Sequence, residues 1–263
     1  MFAIIKEYEK LIDKFDLSAF EIQTFIAFKY FQDNKCDIAV IECGMGGETD
    51  ATNIFDSVLS IVTSVSLEHT SFLGKSISEI AANKLGIMRS EVPLLLGSKD
   101  EDVVSVASEY AHDLDTKIIS PVEPSNVTYS EQGHSFTYSS FKDVKIKSLA
   151  RYSVKDACLA LEALLILKDQ FPFDEQKVKE GMANVVMPGR MSVESSNPLI
   201  IVDGGHNPEA IQSLVASLAN PVGNRAIHIV FAAFRDKNIE RMLSGDEHST
   251  SIKAMFVKMK SKN

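Results

Sequence analysis

Two short unbroken apolar runs constrain this chain more than any other feature. Residues 37–42 (DIAVIE) and 59–65 (LSIVTSV) are too short for helices and are rich in Val and Ile. Runs of that length and composition suit central strands of a parallel sheet, covered on both faces. Between them lies a glycine-rich loop, Cys43-Gly-Met-Gly-Gly47. Upstream, Ser18-Ala-Phe-Glu21 spells a capping box, and Phe20, Ile22, Phe25, Ile26, Phe28 and Phe31 follow with near-helical recurrence, predicting a largely buried helix over 18–33. Downstream, Ser76-Ile-Ser-Glu79 opens a helix carrying Lys84, residues 93–96 form a third strand, and residues 100–113 a further helix. This alternation predicts a doubly wound α/β fold.

From about 118 to 149 the pattern changes to short alternating segments, NVTYSE, HSFTYSS and KDVKIKSL, with Gln132-Gly133 as a turn. They predict a small antiparallel insert. Helical patterns return over 153–169 and 174–183, and Met187-Pro-Gly-Arg190 then breaks the period, as a hinge would. A second α/β unit follows: strand 198–203, helix 208–218, strand 226–231, helix 239–243 and an apolar strand 254–257 close to a sheet edge. The expected domains are 1–187 and 188–263. No internal repeat or low-complexity tract interrupts them.

Composition removes several classes. The 263 residues are 45% hydrophobic, with Lys+Arg 27 against Asp+Glu 36, a net charge of −9. Disorder, collagen and small disulfide scaffolds are excluded. The longest basic stretch is 258–262, too short for an extended nucleic-acid footprint, so no nucleic-acid partner is expected. Cys36, Cys43 and Cys158 are scattered without a C-x-x-C pair, as in a reduced, cytoplasmic protein. Residues 1–14 mix Lys and Glu into an amphipathic pattern rather than a signal peptide, and no apolar run approaches the roughly 18 residues of a membrane span. Asn126-Val127-Thr128 fits a glycosylation pattern and reads as a plain loop in such a chain.

Several residues could do chemistry. Glu42 closes its strand at the carboxyl edge of the sheet, where open α/β folds bind ligands, and the glycines beside it allow a phosphate close to the backbone. The loop lacks the third glycine of a dinucleotide fingerprint, since Thr49 stands there. His69, after the next strand, makes with Glu42 a pair suited to a divalent cation beside phosphates. Gly74-Lys75-Ser76 matches the end of a Walker A motif, but His69 occupies the position of its first glycine. A helix start capped by Ser76 is the better reading. In Asp203-Gly-Gly-His-Asn-Pro-Glu209, two glycines turn the chain, Asn207 is a good N-cap and Pro208 suits the first helical position. Asp203 and His206 then flank a helix N-terminus open to an anionic or ribosyl ligand.

Taken together, IECGMGGETDATN (41–53), TSVSLEHTSFLGKSISEIAANKLGI (63–87), MPGRMSVES (187–195), IIVDGGHNPEA (200–210) and RDKNIERML (235–243) resemble the folylpolyglutamate synthase/dihydrofolate synthase family of the Mur ligase superfamily. The resemblance implies a Mur-ligase-like parallel-sheet ATPase domain with a small antiparallel insert, followed by part of a Rossmann-like C-terminal domain. It implies an ATP- and Mg²⁺-dependent ligase that phosphorylates a folate carboxylate and joins it to L-glutamate, monomeric when complete and without a membrane partner.

By position, Glu42 and His69 match magnesium-holding residues, Lys84 a lysine that is typically carbamylated and then ligates a second magnesium, and Arg190, Asp203 and His206 residues that contact ATP. Gly46, Gly47, Asp50, Thr52 and Asn53 match the substrate loop, and Lys84 and His69 are the catalytic candidates. The family's phosphate loop is absent from these residues, and its second domain continues further, so the resemblance implies a chain truncated at both ends and impaired in turnover. Glu48-Thr49 stands for Arg-Leu, Glu68 for Asp, Tyr152-Ser153 for His-Gln, and Asp156 for an asparagine that contacts the nucleotide. A carboxylate at 156 opposes a polyanion. Two other readings stay open: a non-catalytic remnant that binds nucleotide or folate weakly or pairs with another subunit, and another Mur-type amide ligase.

Overall fold

The structure is a computed structural model that describes residues 2–222, 227–231 and 252–256. The chain divides into two compact units at Ser120/Pro121. No helix among the described residues is long and apolar enough to cross a membrane.

The first unit opens with α1 (Phe2–Phe15) and α2 (Ala19–Asp33), joined by an edge contact of Tyr8 on Phe25 with ring centroids 4.8 Å apart. The capping box forms as expected: Ser18 N–H donates to Glu21 Oε2 at 2.8 Å, and Glu21 N–H donates to Ser18 Oγ at 3.3 Å. Thr24 is the buried residue of α2, while Tyr30 is 57% exposed, so this helix is half-buried rather than largely buried. Its aromatic residues are spread around the helix, more widely than one packing face can cover.

The sheet of this unit is parallel, in the order β1 (Ser60–Val62), β2 (Leu94–Leu96), β3 (Ile118–Ile119). Every residue of β2 is buried, as a middle strand covered on both faces requires. Helices α3 (Ile77–Leu85) and α4 (Glu101–Asp113) are capped by Ser76 and Asp100 and pack on the sheet through Ile80, Leu85, Val103 and Ala107.

Two expectations fail here. Residues 37–42 form no strand, and Val40 is 92% exposed. An apolar run becomes a strand only when a neighbour completes its ladder, and the described ladders of β1 run to β2 alone. Residues 118–119, expected to begin the antiparallel insert, instead add a parallel strand beside β2.

The second unit holds that insert, β4 (Ser125–Ser130), β5 (Gly133–Tyr138) and β6 (Phe141–Ile146), antiparallel throughout. Its buried face (Phe136, Tyr138, Phe141, Val144) packs on α5 (Tyr152–Ile166) through Val154 and Leu161 and on α6 (Glu175–Asn184) through Val178 and Met182. Tyr138 Oη donates to Glu162 at 2.6 Å and accepts from the Val122 amide at 3.2 Å. Antiparallel strands β7 (Ser192–Ser196) and β8 (Leu199–Val202) follow, then α7 (Pro208–Val222) and the parallel pair β9 (Ile227–Phe231) and β10 (Ile252–Phe256). A domain boundary near 187 does not separate these parts. Leu149, Ala150 and Met191 share a buried cluster with Ile201, Leu214 and Leu218, which ties the insert side to β8 and α7. The helix expected over 239–243 lies outside the described residues, as do residues 226 and 257 of the expected strands.

Replacing Leu94 (0% exposed) by Ala is expected to cost about 2–5 kcal/mol, read as a fall in the urea midpoint of the first unit. In the second unit His134 is 4% exposed and stands edge-on to Tyr129 at 4.8 Å. Burial lowers its pKa below the ordinary 6.5, and the Arg151 cation adds to this against the nearby backbone of Leu149, Gly133 and Ala150. The unfolded chain therefore takes up the proton first. Its contribution to stability is complete above about pH 6.5 and declines as the pH falls below that value. Melting temperature should drop between about pH 7 and 5, and His134→Phe should flatten that part of the profile.

Candidate functional site

The candidate residues fall into two groups, one in each unit. In the first unit the glycine-rich loop is held by Asp50. Its Oδ2 accepts the Met45 amide at 2.8 Å, and its Oδ1 accepts the Thr52 amide at 3.0 Å and the Thr52 hydroxyl at 2.6 Å. Burial pushes this carboxyl up, but the bonds from Thr52, Met45 and Gly44 together outweigh it and hold the pKa below the usual aspartate value. Asn83, on α3, accepts the Gly47 amide through Oδ1 at 3.1 Å and the Glu48 amide through its carbonyl at 2.9 Å. Gly46 has φ +72, and a Cβ there would strike the Asn83 side chain. Asn53 donates to the carbonyls of Glu48 and Gly86 at 3.2 and 3.1 Å, and Arg89 donates to Asn53 Oδ1 at 2.5 Å and to the carbonyls of Met88 and Phe55 at 3.0 and 3.3 Å.

The amides at 45, 47, 48 and 52, which a phosphate would need, are thus already engaged. Among the substrate-loop candidates, Asp50, Thr52 and Asn53 turn their polar atoms inward to shape the loop. Beside it, Leu17, Thr24, Phe25, Phe28, Ala51 and Ile54 line a mostly apolar cleft of about 500 Å³, with Glu21 and Lys29 also on its wall.

Glu42 lies exposed in the irregular segment that replaces the expected strand. His69 is exposed and has φ +50, past the end of β1. Lys84 sits in the last turn of α3, with Nζ 3.9 Å from Glu68 Oε1 and both side chains partly buried. Among the described residues no three His, Cys, Asp or Glu side chains gather as a metal cluster, and Lys84 Nζ faces Glu68. As placed, these three residues do not fit a magnesium ion. Gly74-Lys75-Ser76 is a helix cap: Ser76 Oγ accepts the Glu79 amide at 3.2 Å, and the Lys75 amide donates to Glu79 Oε2 at 2.5 Å.

In the second unit Asp203, just past β8, accepts the Gly205 amide on Oδ1 at 2.7 Å and the Met191 amide on Oδ2 at 2.9 Å. Tyr152 Oη, in the first turn of α5, donates to the same Oδ2 at 3.4 Å. Burial and the Asp203 charge push Tyr152 up to about 12, while Arg190 pulls the other way. Arg190 is largely exposed, and its Nη1 is 3.1 Å from where a Cβ on Gly204 would stand. Asp156 lies one turn along α5; desolvation raises its pKa, countered by the charges of Arg190 and Lys155. Asn207 caps α7 through the Ala210 amide at 2.8 Å, as expected, and His206 Nδ1 lies 2.9 Å from the Gly204 carbonyl. Arg190 with the α7 N-terminus makes a cationic, donor-bearing surface that suits a phosphate.

Asn83 and Arg89 were not singled out from sequence. Asn83 lies near the end of α3 and Arg89 four residues past it, both distant from the glycine loop in the chain, so only the fold brings them to it.

Residues 189–258 match the family model described as Mur ligase, glutamate ligase domain. The chain is 28% identical over 237 residues to the folylpolyglutamate synthase of Lacticaseibacillus casei, covering 87% of this chain and 55% of that protein. It is 30% identical to the dihydrofolate synthetase of Saccharomyces cerevisiae, covering 85% of this chain and 55% of that one. The chain spans about half the length of these two relatives. Among solved structures, a folylpolyglutamate synthase complex with AMPPCP and folate superposes with a TM-score of 0.81 at 27% identity, over 87% of this chain and 58% of that one. The folylpolyglutamate synthase of Thermotoga maritima does so at 0.82 and 26%, over 99% and 64%. On its ordered motifs, its fold and these likenesses, the chain is similar to the folylpolyglutamate synthase/dihydrofolate synthase family of the Mur ligase superfamily.

Proposed function

We propose that the chain is part of a cytoplasmic ATP-dependent ligase that joins L-glutamate to a folate. The observation that carries this reading is the likeness at 27% identity to a protein solved with both an ATP analogue and folate, over 87% of this chain. In the proposed reaction a folate carboxylate oxygen attacks the γ-phosphorus of ATP, giving an acyl phosphate and ADP. The glutamate amine then adds to the acyl carbon, the tetrahedral intermediate expels phosphate, and loss of a proton leaves the amide. Such chemistry depends chiefly on positioning and on neutralising charge.

In this assignment the apolar cleft beside Ala51 and Ile54 takes a flat aromatic group, and the loop braced by Asp50, Asn83 and Arg89 presents it. Arg190 takes phosphate charge, and His206 and the α7 N-terminus stand beside the nucleotide. Magnesium enters as the counter-ion of ATP, and no step is assigned to it.

Within these 263 residues there is no complete G-x-x-x-x-G-K-[ST] loop, and Glu48 and Asp156 add negative charge where the relatives' pattern has a cation and an amide. The 263-residue chain alone should therefore release ADP slowly, at less than about one per cent of the roughly 10 s⁻¹ median for enzymes, and only with tetrahydrofolate and glutamate both present. Ordinary rates would refute the impairment; release indifferent to folate and glutamate would refute the ligase reading. Asp156→Asn removes a like charge and should raise ATP affinity about threefold to tenfold in calorimetric titration.

The engaged loop amides favour a second reading, a chain that binds folate or nucleotide without turnover. Binding of either ligand with no detectable product would select it.

A further inference from the structure

The turn that carries Arg190 is held in an unusual conformation. Met191 is 2% exposed and has φ +48, a left-handed geometry that a bulky residue adopts only when its surroundings impose it. Three contacts impose it here. The Met191 amide donates to Asp203 Oδ2, the Gly204 amide donates to the Gly189 carbonyl at 2.7 Å, and the Gly189 amide donates to Ser192 Oγ at 3.0 Å. Asp203 is anchored in turn by the Gly205 amide on one oxygen and by Tyr152 Oη on the other. Gly204 leaves room for the Arg190 guanidinium to lie against the turn. Asp203 thus spends three hydrogen bonds inside the chain, which leaves it little capacity for the ligand contact that the family resemblance implies.

We propose that Tyr152 is a positioning residue: through Asp203 it clasps the Met191 turn and so aims Arg190 at the phosphates of a bound nucleotide. The nucleotide half of this proposal rests on the proposed function; the clasp does not. Tyr152 reaches Asp203 from the first turn of α5, so the clasp links that helix, the 189–191 turn and the end of β8 within one unit. The long 3.4 Å contact is the weakest member, and losing it should loosen the turn without unfolding the unit.

The test uses the 263-residue chain as Tyr152→Phe, Arg190→Ala and the double variant, with ATP affinity by calorimetry and exchange of the Met191 amide by NMR. Tyr152→Phe is expected to weaken ATP about threefold to tenfold with Arg190 present and by less than about twofold in the Arg190→Ala background. Its Met191 amide should exchange about tenfold faster than in the wild type. Equal losses of affinity in the two backgrounds would overturn the aiming role, since a merely structural effect does not depend on Arg190. A wild-type chain that takes up no ATP overturns the nucleotide half. Unchanged Met191 exchange in both Tyr152→Phe and Asp203→Asn overturns the clasp itself.

Discussion

Each glycine-rich turn of this chain is closed by its own aspartate. Asp50 gathers the amides of Met45 and Thr52 and the Thr52 hydroxyl; Asp203 gathers the amides of Gly205 and Met191 and the Tyr152 hydroxyl. Glycine lets the backbone turn tightly but gives it no preferred shape, and an ordered glycine loop needs an outside constraint. A carboxylate is the strongest acceptor a protein can offer to backbone amides, and accepting two or three of them both fixes the turn and stabilises the charge. In each unit the aspartate lies within or beside its glycine motif, while further braces reach in from Asn83 on α3 and Tyr152 on α5.

That arrangement shapes the functional reading. A loop whose amides already bind a side chain is a shaped wall rather than a cradle for phosphate. On the proposed reading phosphate charge is met elsewhere, by Arg190 on the turn beside Gly204. The net charge of −9 matters here through where the acid sits, because Glu48 and Asp156 add it at the motifs themselves.

Much of the fold was legible because its signals are local. The capping box at Ser18, the caps at Ser76 and Asn207, and the alternation of the β4–β6 insert each depend on residues within a few positions, and each formed as read. What failed depends on distant partners. DIAVIE has the composition of a buried strand, but pairing is decided by a neighbour the run does not encode, and Val40 ends up in solvent. Ile118-Ile119 joined the first sheet because β2 offered a parallel edge, and the second unit absorbed the expected hinge because Met191 is buried against residues near 150 and 214. In the candidate site, Asp50 and Asp203 were visible as residue types in place. Their inward-facing roles, and the braces from Asn83 and Arg89, became visible only once α3 and the loop were brought together.

The central claim is that the chain's own aspartates set these turns before any ligand arrives. Hydrogen exchange of the free wild-type chain at the Met45 and Thr52 amides measures this most directly. Self-held turns predict slow exchange in the absence of ligand, at least about tenfold below the unfolded rate. Exchange at the unfolded rate, slowed only when nucleotide or folate is added, would contradict it.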